Sequence, residues 1–199
     1  MYNRNLVTGL RVPRPMSKYP EILHRRTVAR SRLFRVEAVG LRFSNGAEVE
    51  YERLGGTSHG AVLIVAVDGQ GRAQLIREYA AGTGRYELGL PKGRVEKDEP
   101  LLDAANRELQ EEVGVAARRL EWLRSLSLAP GYLAHRTEVI LAQDLYPSRL
   151  PGDEPEPIQV VPWALDDLEG LLAQEDFSEA RSLAALYLAR DHLRAREAR

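Results

Sequence analysis

Acidic side chains are concentrated in residues 93–115 of this 199-residue chain. They include Glu99, Glu108, Glu111 and Glu112, with Arg107 among them. In a helix, spacings of three and four residues bring the last three carboxylates together, which costs about 0.2–0.5 kcal/mol per pair without a compensating cation. Arg107 offsets part of this charge. Because carboxylate oxygens favour hard cations, the pattern predicts a site for Mg²⁺, for which Mn²⁺ could substitute. The alternative is a solvated acidic face.

The segment 100–113 has the start and stop signals of a helix. Pro100 suits the first turn, where a missing N–H costs nothing, and Gly114 suits the left-handed residue that ends a helix. An apolar stripe in this segment is predicted to dock on a sheet. The stripe consists of Leu102, Ala105, Leu109 and Val113. The glutamates lie on the neighbouring arc of the helix.

The full arrangement is Gly93-x5-Glu99-x7-Arg107-Glu108-Leu109-x-Glu111-Glu112-x-Gly114-Val115. It resembles the Nudix box at every fixed position. The resemblance implies an α/β fold, an α/β/α sandwich with a central mixed β-sheet, and a pyrophosphohydrolase that cleaves nucleoside diphosphates linked to a further group. It also implies roles for the acids: Glu108 and Glu112 as central metal ligands, Glu111 as a ligand or base, and Glu99 in support. By the same resemblance Glu112 is also a catalytic residue, and the backbone carbonyl of Lys92 or Gly93 completes the metal shell.

Segments outside the box extend the resemblance. They are 27–37, 76–79, 86–89, 126–132 with Pro130, 143–147 and 152–157. These segments resemble the ADP-ribose pyrophosphatase branch and the bacterial ADP-compounds hydrolases. The resemblance implies cleavage of the diphosphate linkage in ADP-ribose, NADH or diadenosine oligophosphates, with AMP and a phosphorylated product. ADP-sugar enzymes often have a small residue at the position of Lys92. A lysine at this position resembles the sequences of polyphosphate-cleaving relatives.

Several side chains outside the acidic helix are candidates for substrate contact. Arg77 and Arg85 lie on or beside strands leading into the box, where a guanidinium could bind diphosphate oxygens, although surface arginines are common. Lys92 could contact phosphate or be solvated. Tyr132 or Phe34 could stack on adenine, or belong to a core.

The acidic loop 145–157 contains Asp153, Glu154 and Glu156. Related enzymes place a mobile catalytic glutamate in this loop, and Glu154 is the preferred candidate; a solubilising loop is the alternative. The four histidines, His24, His59, His135 and His192, show no two-ligand spacing, so none is assigned to a metal.

Composition narrows the classes of partner. The formal net charge is -1, which does not point to nucleic acid or an anionic membrane. The chain has no cysteine and no apolar run near the roughly 20 residues that span a bilayer, and its N-terminus lacks the apolar core of a signal peptide. A cytoplasmic protein with a nucleotide substrate is expected.

Periodicity predicts three regions. Residues 1–20 read as a flexible basic arm, 21–56 as an N-terminal β region, and 57–199 as the hydrolase domain. The β region should contain a hairpin with a type I′ turn at Asn45-Gly46. By resemblance to the ADP-sugar branch, this region exchanges contacts with a second subunit in a homodimer.

The hydrolase domain is predicted to form a mixed sheet covered by helices. Strand 61–67 is expected to pair with 73–76, and further strands are predicted at 86–90, 120–128, 137–142 and 158–161. Helices are predicted at 165–174 and 178–196.

Two functional alternatives stay open at this level. The substrate could be another nucleoside diphosphate derivative, such as a nucleoside triphosphate, a coenzyme A compound or a capped RNA end. A protein of another class, a non-catalytic sensor of ADP-ribose, is the other alternative; such modules often lose box glutamates, and this chain keeps them all.

Overall fold

The computed structural model describes residues 19–56 and 60–198. Contacts divide the chain into two compact units, of which one ends at Leu54 and the other begins at Gly55. Most of the predicted basic arm, residues 1–18, lies outside the described residues. Within the described part, no helix is both long enough and apolar enough to cross a membrane.

The first unit is a three-stranded antiparallel sheet of β1 (Glu21–Arg30), β2 (Arg35–Arg42) and β3 (Glu48–Leu54) in sequence order. The predicted hairpin is confirmed as β2 and β3, whereas β1 was not predicted.

The hairpin turn differs from the predicted type I′ turn. That turn needs positive φ at both Asn45 and Gly46, and only Gly46 has it, at 84°. Phe43 N donates to Ala47 O at 2.9 Å, and Gly46 N donates to Phe43 O at 2.9 Å. This pattern closes a three-residue loop in which one left-handed glycine suffices.

The second unit contains seven described strands. They are β4 (Ala61–Ala66), β5 (Arg72–Ala80), β6 (Arg85–Gly89), β7 (Lys92–Arg94), β8 (Val115–Ser127), β9 (Arg136–Pro147) and β10 (Gln159–Ala164). A mixed sheet has the order β7-β4-β9-β8, with β4 and β9 parallel, and an antiparallel sheet has the order β10-β5-β6. The predicted pairing of β4 with β5 is wrong except for one bridge, Val67 to Ala73, because β7 and β9 already occupy both edges of β4.

Helices cover both faces of the mixed sheet. Along β4, Val62 and Ile64 face a helix formed by α1 (Leu101–Glu108) and the π-helical segment Leu109–Val113, whereas Leu63 and Val65 face α3 (Ala180–Glu197). Alternation along a strand sends successive side chains to opposite faces, so one short strand serves both cores. A short helix, α2 (Leu168–Leu172), joins the α3 side. This arrangement confirms the α/β/α sandwich.

The docking face of α1 is rotated relative to the predicted stripe. Leu102 is 37% exposed, while Leu101 packs against the sheet beside the fully buried Ala104 and Ala105. The buried face therefore also carries Glu108 and Glu112, which are 8% and 6% exposed. The same helix surface that packs on the sheet holds the acids of the predicted site.

Candidate active site

The acidic helix ends in a wide turn. Gly114, at φ 82°, donates its N–H to Leu109 O at 3.0 Å, which is an i to i+5 contact, and residues Leu109–Val113 are π-helical. The sequence predicted only an α-helix here. π-helical turns occur most often at functional sites, where the extra residue changes the direction of neighbouring side chains.

Arg107 is the hub of the acidic cluster. Its Nε donates to Glu99 Oε1 at 2.9 Å, and its Nη1 donates to Glu108 Oε1 at 2.8 Å and to Glu111 Oε2 at 2.9 Å. Its Nη2 donates to the carbonyl oxygen of Arg94 at 3.0 Å. These acceptors, of which Glu99 contributes most, raise the pKa of Arg107 above its usual value, so the guanidinium stays charged. Arg107 therefore orients three of the box glutamates.

The two most buried glutamates lie against β7. Lys92 donates its backbone N–H to Glu112 Oε2 at 2.9 Å. A Cβ atom at Gly93 would lie 1.9 Å from the carboxyl carbon of Glu108, so only glycine leaves room for this side chain. Burial raises the pKa of Glu112 to about 8 and also raises the pKa of Glu108. The site has therefore more buried acid than its own cations neutralise.

The loop after β9 brings further acids to the same place. Glu108, Glu111 and Glu112 line a cleft of about 480 Å³ together with Asp153 and Glu154. The charge of Glu154 contributes to the raised pKa of Glu108, which places the two carboxylates within electrostatic reach. Two neighbouring clefts also reach Glu112. Of the three acids in this loop, Glu154 is the one that lines the acidic cleft and both of these neighbours.

The donor set of the acidic cleft fits a hard divalent cation. In the described ranges, no three acidic side chains already converge as a complete cation cage. Instead of a cation, the guanidinium of Arg107 binds carboxylate oxygens of Glu99, Glu108 and Glu111. The raised pKa values of Glu108 and Glu112 show that burial disfavours their charged forms, and an oxygen-preferring cation would reverse that preference. The structure places the amide of Lys92 on Glu112; the predicted carbonyl ligands, Lys92 or Gly93, stay a prediction.

A second cleft adjoins the acidic one through Glu112 and Glu154. Its volume is about 390 Å³, and Arg77, Tyr79 and Tyr86 form part of its wall. The two tyrosine rings meet edge to face, with centroids 5.6 Å apart. Arg77 donates Nε to Asp176 Oδ2 at 2.7 Å and Nη1 to Gln159 Oε1 at 2.8 Å.

Tyr79 and Tyr86 were missed in the sequence. Tyr79 has the same strand alternation as Arg77, and Tyr86 lies directly opposite Tyr79 in the β5–β6 pair. This register depends on the hairpin that joins the two strands. The sequence alone therefore offered one signal, the alternation that places Tyr79 on the same strand face as Arg77.

Three other predicted contacts are placed away from the clefts or are already paired. Arg85 contacts Glu87 and Ser178, and Tyr132 is 61% exposed in the loop before β9. The ammonium of Lys92 lies 3.0 Å from Glu78 Oε1 and its side chain is 30% exposed, so it is partly solvated and already paired with a carboxylate. A substrate role for these three residues stays a prediction.

Known proteins resemble the chain along most of its length. Residues 20–53 match the NudE-type Nudix hydrolase N-terminal domain, and residues 57–196 match the NUDIX domain. The chain is 50% identical over 175 residues to ADP compounds hydrolase NudE of Escherichia coli (strain K12), covering 88% of this chain and 94% of that protein. It is 26% identical over 171 residues to ADP-ribose pyrophosphatase of Bacillus subtilis (strain 168), covering 82% and 91%.

A solved structure, the crystal structure of an ADP compounds hydrolase, has the same fold. It matches with a TM-score of 0.84 at 49% identity, over 90% of this chain and 96% of that chain. Nudix hydrolases generally use a divalent metal, which agrees with the donor set of the acidic cleft. The domain match, the complete box and the shared fold together show that this chain is a pyrophosphohydrolase of the Nudix family with a NudE-type N-terminal domain.

Proposed function

We propose that the protein hydrolyses the diphosphate linkage of ADP-linked compounds, such as ADP-ribose, NADH and diadenosine oligophosphates, in a Mg²⁺-dependent reaction. The observation that carries this proposal is the continuity of the two clefts. Glu112 and Glu154 line both the acidic cleft and the cleft that contains Arg77, Tyr79 and Tyr86. A diphosphate in the first would leave the attached nucleoside in the second.

In this proposal Glu108 and Glu112 hold Mg²⁺, with Glu111 as a further ligand or base and Glu99 in support through Arg107. When bound, the metal neutralises phosphate charge and lowers the pKa of a water. Glu154, or Glu111, accepts the proton of the attacking water. The water oxygen bonds to one phosphorus, the bridging oxygen leaves with the other phosphate, and the products are AMP and a phosphorylated remainder.

Arg77 and the tyrosines would bind the rest of the substrate. Among the described residues Arg77 uses Nε and Nη1, which leaves Nη2 for a phosphate oxygen. Tyr79 and Tyr86 are 56% and 48% exposed, so their faces are open to a planar ring such as adenine.

The test is an assay of purified full-length protein with ADP-ribose, NADH and diadenosine triphosphate. We expect AMP from at least one of them with Mg²⁺ and none with excess EDTA, because the buried acids need a cation to hold the diphosphate. Chromatographic quantification of AMP measures the result.

The open alternatives give different outcomes in the same assay. No AMP from any of the three, with turnover of a nucleoside triphosphate, a coenzyme A compound or capped RNA, would contradict the choice of substrate. Calorimetric binding of ADP-ribose without any hydrolysis would instead identify a sensor.

We also propose that the first unit forms a homodimer through one face of its sheet. Pairing places Ile22, Leu41, Val49 and Tyr51 on one face, whereas the opposite face carries the ion pairs of Glu50 with His24 and Arg26. On the apolar face, Ile22, Val49 and Tyr51 are 49%, 41% and 47% exposed. A second copy would remove this surface from water.

Light scattering should find twice the 22.3 kDa chain mass for the wild type. Tyr51→Glu should be monomeric because it places a charge in the apolar face, and Glu52→Gln on the other face should stay dimeric. A monomeric wild type would contradict the proposed dimer. The cytoplasmic location expected from the sequence also stays a prediction.

A further inference from the structure

The loop that carries Glu154 is tied to the acidic helix at its start. Ser148 Oγ donates to Gln110 Oε1 at 2.8 Å, and Leu150 N donates to the carbonyl oxygen of Gln110 at 3.1 Å. Gln110 also donates Nε2 to the carbonyl oxygen of Asn106 at 3.0 Å. A residue at a variable position of the box therefore anchors the beginning of the loop.

The end of the loop is tied to β6 by one side chain. Tyr86 Oη donates to Glu156 Oε1 at 2.5 Å. Among the described residues, this is the one hydrogen bond between residues 151–157 and the strands. Glu156 stands between Pro155 and Pro157, whose nitrogens carry no hydrogen, so the backbone has few donors of its own here.

Glu154 lies between these two ties. Its carboxylate lies against Gly152, since a Cβ atom at that position would lie 2.1 Å from Glu154 Oε2. The side chain lines the acidic cleft together with Glu108 and Glu112. The chain is anchored again where Ile158 packs on the core and β10 begins, so the Tyr86 bond restrains the stretch between Leu150 and Ile158, and without it this carboxylate would have more freedom to turn outward.

We propose that Tyr86 and Glu156 form a latch that positions Glu154 over the acidic cleft, so that Tyr86 is a positioning residue for hydrolysis. The kinetic part of this inference rests on the proposed function. The structural part, that one hydroxyl restrains the loop, does not.

The structural part is tested by ¹⁵N NMR relaxation of the metal-free full-length protein, which reports backbone mobility even at amides without a hydrogen bond. Tyr86→Phe keeps the ring and removes only the latch donor, so the backbone order parameters of Gly152, Asp153, Glu154 and Glu156 should fall from about 0.85, typical of a rigid backbone, to below about 0.6. Glu156→Ala should match it, and Glu156→Gln, which keeps a carbonyl acceptor, should stay near the wild type. Tyr187→Phe on α3, on the other face of the mixed sheet, is the control and should not change the loop. Unchanged order parameters in Tyr86→Phe would overturn the latch.

The kinetic part is tested by combining variants. Tyr86→Phe should lower kcat about 3- to 10-fold with KM changed less than about twofold, because the ring that faces substrate is retained. In a Glu154→Gln background the same substitution should have no further effect on kcat. A full additional loss would show that Tyr86 acts by another route and would overturn the positioning role. If the wild type hydrolyses none of the ADP compounds, the proposed function fails, while the relaxation experiment still decides the latch.

Discussion

Replacement of Glu112 by glutamine should lower kcat for an ADP-linked substrate by roughly 10²- to 10⁴-fold, the range expected when a group essential to activating the attacking water is lost. Glu112 is 6% exposed and lines both the acidic cleft and the cleft that contains Tyr79 and Tyr86, so no solvent-exposed group can easily replace it. An amide binds a divalent cation much more weakly than a carboxylate does. Steady-state kinetics at several Mg²⁺ concentrations measure the loss.

The same variant should stay folded. Burial raises the pKa of Glu112 to about 8, so near pH 7 the metal-free protein favours the protonated carboxyl, and a neutral amide of the same shape replaces it at little cost. The amide oxygen can still accept the N–H of Lys92. The melting temperature should lie within about 4 °C of the wild type. Glu169→Gln, an exposed position on α2, is the matched control and should keep full activity; wild-type kcat in Glu112→Gln would show that the metal site lies elsewhere.

Replacement of Gly93 by alanine should damage both stability and activity. The added Cβ would lie 1.9–2.1 Å from the three carboxyl atoms of Glu108. Glu108 is buried and bonded to Arg107, so it can leave only by breaking that contact. We expect a loss of about 1–3 kcal/mol in the free energy of unfolding, typical of an overpacked interior, measured by urea denaturation, together with a large loss of kcat.

A double variant separates the two effects of Gly93→Ala. Removing the obstructing carboxyl with Glu108→Ala in the Gly93→Ala background should recover much of the stability and none of the activity. Gly69→Ala is the control, since no atom lies within 4 Å of its added Cβ, and it should change stability by less than about 0.5 kcal/mol. Wild-type stability and activity in Gly93→Ala would contradict the close approach of β7 to Glu108.

Local sequence patterns predicted the helix and the clustering of its acidic side chains. Pro100, Gly114 and the apolar spacing between them predicted where the helix begins and ends, because end signals act within a turn of the chain. The spacing of Glu108, Glu111 and Glu112 predicted a cluster of acids on one arc for the same reason. The family match then confirmed the enzyme class that the box implied.

Contacts between distant segments could not be predicted from local sequence patterns. The sequence predicted that Arg107 offsets part of the charge of the glutamates, but it did not indicate that Arg107 would also join Glu99. Nor did it indicate that Tyr86 would reach Glu156, seventy positions away. The placement of Leu102 was wrong because the docking rotation of a helix depends on the sheet it meets, and the small side chains of Ala104 and Ala105 let the helix settle on that side.

The sequence by itself determined the acidic helix, through residue types at fixed short spacings, and it determined the class of reaction through the resemblance of those residues to the Nudix box. Only the tertiary structure decided how deeply Glu108 and Glu112 are buried, the π-helical turn that ends the helix, and the cleft that Glu154 shares with Arg77 and the tyrosines. The reason is physical: burial and cleft shape arise from strands and loops that meet only after the chain has folded, so no local spacing encodes them.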